Sequence, residues 1–268
     1  MNPLSLASGV VPEFSPVETV RAAACGGFDM VGLWVEPGDW TAQTTRELRA
    51  ALTDTGLPLL DVEVVWLKPD VVPDDWRKVV DVGAELGARN VLCVSSLPDA
   101  GRTAEELRAL CEHADGSGLR IALEFGIFTQ VGDLEAALAV LARVDHPAAA
   151  LLVDPIHVDR SGSSIERIAS LHPALLPYAQ ICDAPAERPN PDDFDAVITD
   201  AIDLREQCGE GALPLADLYA ALPPNIPLSV ELRSKALRDA YSDPGKRAAA
   251  VADATRAWLR NLPASTGR

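Results

Sequence analysis

The feature that most constrains this chain is an alternation. Eight short apolar runs, at residues 4–7, 28–35, 59–66, 90–95, 118–125, 149–154, 178–183 and 227–232, are separated by stretches with helical spacing. Helices are expected from Pro16 up to Gly26, then over 41–55, 74–86, 103–114, 133–144, 164–171 and 246–262. Their ends carry recognisable signals. Ser15 precedes Pro16 as an N-cap, Gly56 and Gly87 act as stops, and Thr103 with Glu106 has the spacing of a capping box.

Eight short strands alternating with helices within 268 residues is the count for an α/β fold of one kind, a single (β/α)8 TIM barrel, here expected as one domain over 1–268. A doubly wound open sheet is the competitor, but the first strand-to-helix turn has no G-x-G-x-x-G. The irregular stretch 184–193, rich in Pro and acid, reads as a rim loop rather than a tether. On the third strand, Asp61, Glu63 and Val65 alternate against apolar neighbours and are expected on one face.

The strand ends carry the chemistry. The fifth delivers Glu124, the sixth Asp154, the seventh Gln180 with Asp183 beyond it, and the eighth Glu231. Any one acid could merely cap the following helix, as Asp154 before Pro155 could. Four oxygen donors from four consecutive strands are harder to dismiss. Three carboxylates converging in a low-dielectric mouth repel one another unless a cation neutralises them. All-oxygen donation suits Mn2+ or Mg2+, with Co2+ also compatible, better than Zn2+.

His157 is the one histidine on that rim, placed to bond a substrate hydroxyl or shuttle a proton. His113 and His172 read as helix-surface residues and His146 as a loop residue before Pro147. Arg160, Arg188, Arg205 and Arg233 lie near the rim, where each could grip a phosphate or carboxylate. Trp34, Trp66 and Phe128 fall at or just past strand ends and could wall a sugar ring. Glu63, Trp34, Trp66, Arg205 and Arg233 are therefore the candidate substrate contacts.

A net charge of −17 disfavours nucleic acid and anionic membrane as partners. The five cysteines, widely spaced and without a C-x-x-C pair, read as thiols of a reducing compartment. No signal peptide and no membrane-length apolar run is visible, so a cytoplasmic location is expected. The partner expected is a small molecule. Whether the barrel also self-associates as a homo-oligomer is left open by the sequence.

Five segments together resemble the xylose isomerase-like TIM-barrel superfamily, the sugar phosphate isomerase/epimerase group. They are Ala122-Leu-Glu124-Phe125, Leu152-Val-Asp154-Pro-Ile-His157, Ala179-Gln180-Ile-Cys-Asp183-Ala-Pro, Gly209-Glu-Gly211-Ala-Leu-Pro-Leu and Leu228-Ser-Val-Glu231. The resemblance spans nearly the whole chain and implies metal ligation by Glu124, Asp154, Gln180 and Glu231. Gln180 stands where most members carry His, and resembles the branch containing 3-dehydroshikimate dehydratases. The Arg-His pair of those dehydratases is missing after the fifth strand, which here reads Phe125-Gly-Ile-Phe-Thr-Gln130. Arg205-Glu-Gln-Cys-Gly-Glu-Gly211 resembles the family's Arg-x-x-Pro-Gly-x-Gly loop, with Cys208 for Pro.

The activity implied is isomerisation or epimerisation of a sugar or polyhydroxy ketone through a metal-stabilised enediolate. Glu124 and Glu231 would move the α-proton, Asp154 and Gln180 would hold the metal, and His157 would polarise or shuttle. If a β-hydroxyl left from the same enolate, the enzyme would be a dehydratase or lyase of a cyclic hydroxy-ketone, dehydroshikimate- or inosose-like. A non-catalytic binding barrel is the third reading.

Overall fold

The structure is a computed structural model and describes residues 2–262. In chain order it runs β1 (Leu4–Leu6), α1 (Pro16–Cys25), β2 (Met30–Trp34), α2 (Ala42–Thr55), β3 (Leu59–Leu67), α3 (Pro73–Leu86) and β4 (Asn90–Ser95). There follow α4 (Ala100–His113), β5 (Arg120–Glu124), α5 (Leu134–Val144), β6 (Ala149–Leu152), α6 (Pro155–Ser161), α7 (Ile165–Ala169) and β7 (Ala179–Ile181). The last elements are α8 (Phe194–Asp203), α9 (Leu215–Ala221), β8 (Leu228–Val230), α10 (Lys235–Ala240) and α11 (Pro244–Asn261).

Every strand pairing is parallel, in the order β6-β5-β4-β3-β2-β1-β8-β7. The seam between β6 and β7 is bridged by one backbone bond, Gln180 N donating to Val153 O at 2.9 Å. The eight strands thus form a nearly closed TIM barrel with helices between them. Both faces of such strands are buried, which is why they read as apolar runs rather than alternations. Leu4, Leu6, Val31, Leu33, Leu123 and Leu151 face the helices. Met30, Leu60, Leu92, Ala122, Leu152 and Tyr178 fill the barrel interior.

Local chemistry sets the helix ends. At α1 the Ser15 hydroxyl accepts from Glu18 N while Glu18 Oε2 accepts from Ser15 N at 2.9 Å, a closed capping box. The box expected at Thr103 does not form. α4 starts three residues earlier, where Asp99 Oδ1 accepts from Gly101 N at 2.6 Å. Thr103 is buried on the inner side of α4, its hydroxyl 2.8 Å from Ser95 Oγ. A side chain facing the core cannot turn back to cap.

Two other expectations are revised. The register between β3 and β4 shifts between Val62 and Val65. Val65 consequently packs toward the helices, and Val64 instead borders the central cavity. Val65 is buried too, but only Asp61 and Glu63 share the inward face expected of the three. The sequence also assigns no helix directly after β6 and none between the last two strands. The structure adds α6 ahead of the helix expected over 164–171, which forms as α7, and has α8 and α9 in the second interval.

Candidate metal centre and active site

The candidate residues gather where the strands end, the side of this fold on which chemistry is found. Glu124 is the last residue of β5, Asp154 lies just past β6, Gln180 is within β7, and Glu231 follows β8. All four are buried, as are Glu63, His157 and Arg205. All of these except Asp154, which lies behind them, border a cavity of about 230 Å3, whose apolar walls include Trp34, Trp66, Leu92, Val94 and Phe128. That is slightly below the ~300 Å3 at which ligand pockets usually begin, so the space suits one small ring. Trp66 and Phe128 meet edge to face at 5.8 Å, and Phe128 lies 4.9 Å from the His157 ring.

Asp154 does cap the helix that follows it, and its second oxygen is left for other partners. Its Oδ1 accepts from Ile156 N at 3.0 Å, capping α6, while its Oδ2 accepts from Arg205 Nη1 at 2.6 Å. His157, on the first turn of α6, has Nε2 at 3.9 Å from the same oxygen. Ligand atoms of Glu124, Asp154 and His157 all lie within 4.8 Å of one another. His157, placed outside the ligand quartet by the sequence, therefore shares a centre with two of its members.

The Gln180 amide sits among three carboxylates. One of its terminal atoms is 2.8 Å from Asp154 Oδ2 and 2.7 Å from Glu124 Oε1; its other end is 3.5 Å from Glu231 Oε2. With nitrogen turned toward Asp154 and Glu124, both short contacts are hydrogen bonds. With oxygen turned that way, three oxygens converge, which only a cation between them would stabilise. Against the carboxylates of Glu124, Asp154 and Glu231, Arg205 supplies one fixed positive charge directly bonded into the group. The donors fit a divalent cation.

The electrostatics follow from burial. Desolvation, reinforced by Asp154, holds the Glu124 carboxyl well above the usual range. Glu231 is raised for the same first reason, with Arg205 and Arg233 opposing. Burial also pushes Asp154 upward, but Arg205, His157 and its hydrogen bonds outweigh this, and its pKa falls below normal. His157 is pushed down to about 4 by desolvation and is neutral near pH 7. Glu63 is raised well above its ordinary value by burial and by Glu231 and Asp61.

The arginines divide sharply. Arg205 donates through Nε to Ala201 O at 2.7 Å and through Nη1 to Asp154 and to Glu231 O at 3.0 Å. Its guanidinium is thus tied to the protein through Nε and Nη1 while still bordering the cavity. Arg160 pairs with Asp159 and Asp200, and Arg188 with Asp159. Arg233 differs. Among the described residues it forms no ion pair, its Nε has no partner, and its guanidinium lies 5.0 Å from the Trp34 ring centroid beside the cavity. Asp183 is structural: it accepts from the backbone N–H groups of Ala184, Gly209 and Leu213 and shapes the 207–213 loop.

Two features went unrecognised in the sequence. Asp61, buried below the acids, receives a 3.4 Å hydrogen bond from Tyr178 and is raised to about 7 by desolvation and Glu231. Its two-residue spacing from Glu63 was the available signal. Ile198, Ala201 and Ile202 of α8 form part of the cavity wall, and their helix was itself unassigned.

The sequence profile of the family described as "Xylose isomerase-like TIM barrel" matches residues 20–262. The chain belongs to that family. A curated relative, the 3-dehydroshikimate dehydratase of Pseudomonas putida, is 28% identical over 195 residues, which are 66% of this chain and 29% of that protein. The chain thus spans less than a third of that relative's length. Among solved folds, the IolI protein with a bound zinc atom superposes with a TM-score of 0.81 at 16% identity, covering 98% of this chain and 99% of that one. D-allulose 3-epimerase from Methylomonas sp., in complex with D-allulose, gives a TM-score of 0.72 at 16% identity, covering 98% and 97%. At these identities the two structures speak for the fold alone.

Proposed function

We propose that the chain is a divalent-metal-dependent isomerase or epimerase acting on a sugar or polyhydroxy ketone by proton transfer beside a carbonyl. The observation that carries this reading is the Gln180 amide held between Glu124 and Asp154 on one side and Glu231 on the other. Glu124, Asp154, Gln180 and Glu231 would hold the cation, with His157 within reach of the same centre. When bound, such a cation supplies Lewis-acid polarisation of a substrate carbonyl. Mn2+ or Mg2+ suits the oxygen donors, and His157 would let a softer ion compete.

The chain's own residues handle the proton. Glu124 and Glu231 both have pKa values raised by burial, the direction that strengthens each as a proton acceptor. They lie on opposite sides of the Gln180 amide, so one can remove an α-proton and the other return it. Glu231 is positioned through its backbone, its N–H donating to Ile181 O at 3.2 Å and its carbonyl accepting from Arg205. Neutral His157 can bond a substrate hydroxyl, Trp66 and Phe128 exclude water, and Arg233 and Glu63 contact the substituents. The five free thiols accord with a reducing, cytoplasmic setting.

One observation favours a second reading. The curated relative is a dehydratase, and loss of a β-hydroxyl shares the same first proton abstraction. The test covers both. The protein is incubated in deuterated buffer with Mn2+ and, separately, ketoses, inososes and dehydroshikimate-like keto acids. Deuterium uptake at the α-carbon is expected for one class, and Glu231→Gln should lose it by at least ~100-fold with the fold intact. A new conjugated absorbance would mark dehydration. Unchanged exchange in Glu231→Gln would remove Glu231 from the proton transfer, and no exchange in any class would remove the proposed chemistry.

A further inference from the structure

A second cavity, of about 280 Å3, adjoins the one that holds the acids, and Trp34 and Glu36 belong to the walls of both. Phe14, Trp34 and Trp40 face it, together with Glu36 and Asp39. The chain has only 5 Trp and 5 Phe. Five of these ten (Phe14, Trp34, Trp40, Trp66 and Phe128) border the two adjoining spaces. Glu36 and Asp39 are exposed, and among the described residues neither side chain forms an ion pair or hydrogen bond.

Both lips are held from behind. On one side, Asp39 N and Trp40 N donate to Glu36 O at 3.1 and 3.0 Å, closing a turn. Lys78 Nζ donates to the Pro37 and Trp40 carbonyls of that turn. On the other side Phe14 N donates to Val11 O at 3.1 Å. Buried Arg247 donates to Val10 O at 3.1 Å, pairs with Glu13, and lies 5.9 Å from the Phe14 ring centroid. A cleft fixed in this way before anything enters it loses little entropy on binding.

We propose that this cleft is a subsite for a second sugar ring, so that the substrate is a polyhydroxy ketone carrying a further glycosyl unit rather than a free monosaccharide. A sugar ring offers apolar C–H faces to pack on Phe14, Trp34 and Trp40, and hydroxyls to donate to carboxylates such as Glu36 and Asp39. The same groups could also surround an organic cation. The shared wall favours the sugar. Because Trp34 and Glu36 line both spaces, a group in the cleft lies one side chain away from the first cavity, near enough to be a second unit of the same substrate. The inference rests on the acids being the reacting centre.

Saturation-transfer NMR and equilibrium titration of the full chain with cellobiose and with glucose, in chelator-treated protein and again with Mn2+, test it. Cellobiose should bind about tenfold tighter than glucose, the size expected of one added aromatic stacking contact. Saturation should reach both of its rings. Trp40→Ala should bring cellobiose to the affinity of glucose while leaving glucose binding unchanged, and Glu36→Gln, which leaves the aromatic wall intact, should give a partial loss. Equal affinity for the two sugars in the unaltered protein would overturn the inference. So would an unchanged preference in both variants, or displacement of cellobiose by tetramethylammonium at lower concentration than by glucose. The two proposals fail separately: a cellobiose preference with no α-deuterium exchange condemns the proposed reaction, and exchange without the preference condemns the subsite.

Discussion

Glu231 and Arg233 reach the cavity because residue 9 has no side chain. A Cβ at Gly9 would lie 2.5 Å from Glu231 Oε1 and 2.7 Å from Arg233 Cγ, inside van der Waals contact in both cases. Asp61 is the residue whose cost is clearest. Its carboxyl keeps a proton to about pH 7 in the fold but releases it at its ordinary 3.8 in the unfolded chain. Between these values the folded state binds more protons, so stability falls as pH rises through the window and levels off above it. Asp61→Asn keeps an acceptor for Tyr178 without the ionisable group. It should raise stability at pH 8 by on the order of 2–4 kcal/mol and match the parent below about pH 4, as read by urea denaturation across that range. A gain that is the same at every pH would contradict this assignment. Gln180 shows what sequence can say of one residue: its strand and place were legible, but its position between three carboxylates was not.

At the scale of elements, α8 matters most and was least legible. Its acidic first turn and short length give a weak pattern, and what holds it in place is long-range. Asp200 receives two hydrogen bonds from Arg160 of α6, at 2.9 and 3.1 Å, and Arg160 also donates to Pro185 O in the preceding loop. Arg188 joins the same group through Asp159. These pairs hold α8, with Ile198 and Ile202, against the mouth of the cavity. The stretch 184–193 is accordingly tied at its start, consistent with a rim segment. Asp200→Ala would leave the buried Arg160 partly unpaired, costing about 3 kcal/mol. It should also speed amide hydrogen exchange across 194–203 relative to the strands. Replacing both members with apolar residues of similar size should recover much of the stability. If exchange in 194–203 were unaltered by Asp200→Ala, the ion pair would not be what holds α8.

Across the whole molecule, acids dominate: the net charge is −17, and several carboxylates are concentrated in one buried mouth. No helix among the described residues is long and apolar enough to cross a membrane. A cation bound to the folded chain alone stabilises it by mass action. At a hundredfold excess over its dissociation constant it adds about 3 kcal/mol, or roughly 6–12 °C in Tm for a chain of this size. Chelator should reverse the rise in Tm with Mn2+. Glu124→Gln, lacking one of the repelling charges, should lose most of the response without lowering the metal-free Tm. An unaltered metal response in that variant would place the cation elsewhere.

What the sequence by itself determined was set by local rules. Short apolar runs and helix punctuation were enough for eight strands and seven helices, and the position of an acid at the end of an apolar run was enough to make Glu124, Asp154 and Glu231 candidates. The tertiary structure decided everything that depends on residues distant in the chain. Arg205 is directed onto Asp154 from 51 residues away, and Arg233 borders the cavity without an ion pair among the described residues. His157 is brought to the same centre as Glu124 and Asp154, and the turns at 10–14 and 36–40 form a cleft beside it. Periodicity reports which side of its own element a residue faces, but not which element closes over it. That is settled only when the barrel closes and its loops pack against one another.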